Sequence, residues 1–122
     1  MEEAVENHQG EPSVSDRIQV VTMLYDGAIN FIQKAREKVE TGDSIGRTHF
    51  ISKTSAIVNE LSNSVNMDGG EIAANLRKLY GFVLESLIKA DANNNLEALN
   101  DAEKVVEILR SSWQEMQEVS KI

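Results

Sequence analysis

Along the last third of the chain, apolar residues fall at Leu99, Ala102, Val106, Leu109, Trp113 and Met116, in alternating steps of three and four. At 100° per residue this spacing paints one continuous stripe down a helix, and such a stripe is stable only when other helices cover it. The same period recurs three times upstream. Ile18, Val21, Leu24, Tyr25, Ala28, Phe31, Ile32, Ala35 and Val39 mark a first helix. Phe50, Ile51, Thr54, Ile57, Val58, Leu61 and Val65 mark a second, and Ile72, Leu76, Leu79, Tyr80, Val83 and Leu87 a third.

The breaks between these runs carry helix punctuation. Ser15 or Asp16 is placed to cap the first helix, which ends near Thr41 and Gly42, and Asp43 or Ser44 is placed to cap the second. Turn formers run from Asn66 to Gly70, with Glu71 suited to the positive end of the third helix, and Asn93, Asn94 and Asn95 separate the third from the fourth. Three short connections make consecutive helices antiparallel. The expected fold is therefore all-α, an up-down-up-down four-helix bundle over residues 15–122. Residues 1–14 hold four glutamates, no Lys or Arg and the sole proline, Pro12, so they are expected to form a mobile acidic tail.

Composition closes off several functions. Twenty acidic against twelve basic residues give a formal charge of −8, which repels nucleic acid and anionic membranes. Without cysteine there is no disulfide, thiolate metal site or thiol nucleophile. No stretch reaches the roughly 20 apolar residues of a membrane span, and the acidic start is unlike a secretory signal, so a cytoplasmic location is expected.

Candidate chemistry does not assemble. His8 lies in the tail and His49 has no glutamate three residues before it, which removes the di-iron bundle pattern. Asp91 to Asn95 imitates the opening of a calcium loop, but Leu96 and Ala102 stand where its glycine and closing glutamate belong. Gly69-Gly70 is followed by no phosphate-binding lysine, and the hydroxyls of Thr54, Ser55, Ser62 and Ser64 have no plausible base except His49. No cofactor and no metal are expected, and an enzyme built on carboxylates such as Asp26 or Glu60 has little support.

Apolar residues are left over once the core is filled. Phe82 points well away from the third helix's core face, and Val20, Met23, Ile29 and Ile108 lie toward or beyond the edges of their stripes. Together they suggest a groove for an amphipathic partner segment.

The stretch Met23-Leu24-Tyr25-Asp26-Gly27-Ala28-Ile29 resembles the hallmark segment of the FliS family of flagellar export chaperones. Gly69-Gly70-Glu71-Ile72-Ala73-Ala74-Asn75-Leu76 followed by Leu79-Tyr80 is similar to that family's mid-chain motif, and Leu109-Arg110-Ser111-Ser112-Trp113 to its C-terminal Leu-Arg-x-x-Trp. The resemblance spans roughly residues 15 to 118 and implies a four-helix bundle without enzymatic activity. It implies a chaperone that binds the disordered C-terminal segment of flagellin, prevents premature polymerisation and supports delivery to components of the export apparatus. Carried onto this chain, the partner-binding residues would be Val20, Met23, Ile29, Phe50, Ile57 and Phe82. Two departures stand out: the family's usual Ser-Pro helix start is Ser15-Asp16 here, and its tyrosine-bearing N-terminal segment is replaced by the acidic tail. The rival reading is a helical adaptor that dimerises through the same apolar surface, so the expected state is a monomer or a weak homodimer.

Overall fold

The structure is a computed structural model that describes residues 14–65 and 69–120. Four helices account for nearly all of them: α1 (Val14–Thr41), α2 (Ser44–Asn63), α3 (Gly70–Asn93) and α4 (Leu96–Ser120). Of the tail expected over residues 1–14, only Val14 is described, and it already belongs to α1. Ser15 and Asp16 therefore sit inside the first turn instead of capping it, where the Asp16 carboxylate still meets the positive end of the helix. The Asn66–Asp68 part of the expected second break lies outside the described residues.

The two tight connections are built alike. At the end of α1, Gly42 adopts φ +76°, and the amides of Gly42 and Asp43 donate to the carbonyls of Val39 (3.3 Å) and Lys38 (2.9 Å), closing the helix with the paired bonds of a Schellman motif. Asp43 then caps α2 by accepting from the Gly46 amide at 2.9 Å. At the end of α3 the left-handed position is taken by Asn94 (φ 53°), the Asn95 amide donates to Ala90 O at 3.1 Å, and the Asn95 side chain caps α4 by accepting from the Ala98 amide at 3.1 Å. A left-handed residue followed by a capping side chain reverses the chain in both places.

Each helix packs against two neighbours in the cyclic order α1, α2, α3, α4, so α1 faces α3 and α2 faces α4 across the diagonal. This is the antiparallel bundle that the periodicity predicts. Both turns lie at one end, and that end is tied together by side chains. Arg47 on α2 reaches Asp91 (3.1 Å) and Asn94 (2.9 Å), Thr48 donates to Asp91 (2.7 Å), and Arg36 on α1 joins Glu103 and Asn100 on α4.

Core filling is uneven along the axis. In the half nearer the turns, Ile32, Ala35, Leu87, Ala90, Leu99 and Ala102 are completely buried. Each large aliphatic side chain removed from water there contributes about 1.5–3 kcal/mol. Toward the other end Val21, Leu24, Val65, Leu76 and Trp113 are only half-buried at the core's margin. Ile72, Leu79 and Met116, which the periodic pattern places on the stripes, are exposed by 74%, 41% and 61%. Ile72 and Met116 lie at the outer ends of their stripes and run past the core, whereas Leu79, beside the buried Tyr80, is turned to the edge of its helix's inner face.

Candidate functional site

The unfilled end of the bundle opens into a cleft of about 590 Å³. Its walls come from all four helices: Val20, Val21 and Leu24 of α1, Leu61 of α2 with Val65 just beyond it, Leu76 of α3, and Leu109, Trp113 and Met116 of α4. Polar groups stand among them, with Arg17, Glu60, Ser64 and Ser112 also lining the space. A concave, largely apolar surface of this volume with a few convergent polar groups is the ordinary form of a binding site.

Tyr25 and Tyr80 also line the cleft and join two helices that stand diagonally opposite in the bundle. Their hydroxyls meet across the α1–α3 diagonal at 2.5 Å, and each residue is only 4% exposed. Burial raises both phenol pKa values, because the phenolate is denied water. The shared hydrogen bond partly offsets this rise for Tyr25 and adds to it for Tyr80. Both are therefore neutral at ordinary pH. One bond between two hydroxyls uses one proton and leaves the other for an acceptor.

The α1–α4 wall is held by polar contacts behind it. Trp113 donates from Nε1 to Thr22 Oγ1 at 3.0 Å, and Thr22 in turn donates to Ile18 O at 2.9 Å, which fixes the indole. One turn away, Arg110 Nε lies 2.6 Å from Asp26 Oδ1. The contact is ionic and not a well-directed hydrogen bond, since Nε is shielded from solvent without a properly aligned acceptor.

The six residues proposed from sequence do not form one groove. Val20, 54% exposed, lines the cleft. Met23, 65% exposed, lies outside it, about 60° further round α1 from Val20. Ile29 is half-buried against the core. Phe50 and Ile57 also pack on the core's margin, with Ile57 Cδ1 so close to Gly27 that a Cβ there would lie 3.3 Å away. Phe82 is 43% exposed on α3 and is not part of the cleft. Conversely, Leu76, Tyr80, Leu109 and Trp113 read from sequence as ordinary core positions. The period that assigns a side chain to the inner face does not say how far down the axis the inner faces still meet.

Three segments quoted above for their resemblance come together in this cleft: Leu24 and Tyr25, Leu76 and Tyr80, and Leu109 with Trp113. Comparison with known proteins agrees with that resemblance. The sequence profile of the family described as "Flagellar protein FliS" matches residues 2–120. The flagellar secretion chaperone FliS of Salmonella typhimurium is 31% identical over 100 residues, covering 80% of this chain and 74% of its own length. The protein of the same name from Campylobacter jejuni is 29% identical over 109 residues, covering 88% and 85%. The flagellar secretion chaperone FliSB of Pseudomonas aeruginosa is 26% identical over 106 residues, covering 84% of each.

Proposed function

The chain belongs to the FliS family of flagellar proteins, and from that premise we propose that it is a cytoplasmic export chaperone holding the C-terminal segment of flagellin. The observation that carries this reading is the convergence of the three family-like segments on one apolar cleft. An unfolded client segment with helical propensity buries its apolar side chains there and becomes helical as it binds, which keeps those side chains from other flagellin copies. Release requires no chemistry in the chaperone. Competition at the export apparatus suffices, and the protein acts without catalysis.

The client's polar backbone must also be accommodated. A helix laid in the cleft satisfies its own amides and carbonyls, except at its last turn. The spare proton of the Tyr25–Tyr80 pair is available there to a terminal carbonyl.

Trp113, the sole tryptophan, stands in the cleft wall and reports occupancy directly. Titrating the protein with a peptide of the same organism's flagellin C-terminal segment is expected to shift Trp113 emission to the blue, add helical ellipticity and give a negative heat-capacity change. Val20→Asp, at an exposed position in the cleft, is expected to weaken binding at least tenfold while leaving the bundle folded. A folded protein whose Trp113 emission and heat signal ignore the peptide would sink the proposal, and a concentration-dependent mass would then favour the adaptor reading.

A further inference from the structure

The α1–α2 flank carries an arrangement that the cleft does not use. Phe31 of α1 and Phe50 of α2 stack with centroids 6.0 Å apart and planes inclined by 25°, both half-buried. Each ring has a lysine from the opposite helix over it. Lys34 Nζ of α1 lies 6.0 Å from the Phe50 centroid, and Lys53 Nζ of α2 lies 5.9 Å from the Phe31 centroid. His49 meets Phe50 edge-on at 4.9 Å.

These two ammonium groups differ from other cations of the bundle. Arg36, Lys38, Arg47 and Arg110 are each held by a carboxylate; Lys34 and Lys53, like Lys78, Lys89 and Lys104, form no ion pair among the described residues, but only these two stand over aromatic rings. Of the nearby acids, Glu37 stands one turn from Lys34 on α1 without an ion pair to it, and the others are at the ends of the flank. Asp43 is engaged by Lys38 at 3.5 Å, and Glu60 lies two turns from Lys53, about 10 Å along α2. In a chain of net charge −8, two unpaired cations bracket an accessible aromatic pair.

We propose that this flank is a second docking surface, one that takes a carboxylate-rich peptide segment of a partner protein. An apolar side chain of that segment rests on the Phe31–Phe50 pair, and carboxylates on either side of it meet Lys34 and Lys53. The chain's overall charge does not forbid this. At physiological salt, charges more than about 8 Å apart are largely screened, so of the chain's acids only Glu37, one turn from Lys34, bears directly on carboxylates that contact the two lysines. The surface is also separate from the cleft, since Phe31 lies seven residues, about 10 Å, beyond Leu24 along α1. A client in the cleft and an acidic segment on the flank can be held together.

The test uses the full chain and a short peptide alternating glutamate with leucine, followed by the lysine and aromatic NMR signals. The peptide is expected to shift Lys34, Lys53, Phe31 and Phe50 and to leave Trp113 in place. Lys34→Gln with Lys53→Gln is expected to weaken it about tenfold, two exposed ion pairs being lost together, while Lys34→Arg with Lys53→Arg retains it. Val20→Asp in the cleft should not matter. Equal binding by the double glutamine variant, or by a peptide with glutamine in place of glutamate, overturns the proposal. So does a free protein in which Glu2, Glu3, Glu6 and Glu11→Gln by itself moves the Lys34 and Lys53 signals, because the flank's occupant is then the chain's own N-terminal segment.

Discussion

Alkaline pH should unfold this protein through its two tyrosines. Tyr25 and Tyr80 are the only tyrosines in the chain, both are buried, and both have pKa values raised by that burial. In the unfolded chain each titrates near the ordinary value of about 10. The folded state therefore keeps two protons that the unfolded state releases. The sign follows: this stabilisation is fully present below about pH 10 and is lost as pH rises toward the folded values. Each group contributes about 1.36 kcal/mol per pH unit, so the two together lower stability by up to about 2.7 kcal/mol per unit above pH 10. A domain holding about 5–15 kcal/mol in total is driven to unfold within a few units. Tyrosinate absorbance and Trp113 fluorescence, followed in one titration, provide the assay, and both should change in a single step. Tyr80→Phe leaves one titrating group and should halve the slope to about 1.4 kcal/mol per unit. Tyrosinate absorbance that rises near pH 10 while Trp113 fluorescence stays native would refute the reasoning.

Two further outcomes follow from the polar contacts. Arg36→Ala removes the partner of Glu103, whose side chain is only 16% exposed, and should cost about 1–3 kcal/mol in urea unfolding. Lys38→Ala, whose partner Asp43 is 45% exposed, should stay within about 0.5 kcal/mol of the parent. At acid pH the Asp43 cap should be what weakens at the α1–α2 turn. Its pKa is lowered mainly by the Gly46 amide that it accepts from, with Lys38 assisting, so its contribution is present above about pH 4 and lost as pH falls through the folded value. The stability difference between the parent and Asp43→Ala should accordingly shrink to nothing in strong acid.

Much of the fold is legible in the sequence because period and punctuation are both local. The stripe through Leu99, Ala102, Val106 and Leu109 needs no knowledge of the other helices, and Gly42 followed by Asp43 spells out its turn. Asn94 is less legible, since a left-handed asparagine is recognisable only once the helix before it is known to stop. The site is harder to see. Tyr25 and Tyr80 are separated by 55 residues and meet across a diagonal, so no window on the chain shows their bond. Leu76 and Trp113 keep the periodicity of core residues, yet they face a cleft that the side chains of the described residues leave open. Val20 was visible as a surplus apolar residue because it lies off its stripe. Residues on their stripes give no such sign.

The uneven filling has a functional consequence of its own. Interhelical ties such as Arg47 to Asp91 and Arg36 to Glu103, together with the fully buried Leu87 and Leu99, lie in the half of the bundle nearer the turns. The other half keeps fewer fully buried side chains, Val58, Leu61 and Ala73 among them, and adds half-buried margin contacts, the Arg110–Asp26 ion pair, the Trp113–Thr22 bond and the Tyr25–Tyr80 bond. Local stability follows local burial, so the turn end can remain folded while the open end adjusts around an incoming segment. A bundle packed evenly to both ends would have nowhere to take a client's apolar side chains without separating its helices. One that was loose throughout would lose its own fold. Holding an unfolded segment without unfolding oneself calls for stability concentrated at one end and apolar surface left uncovered at the other.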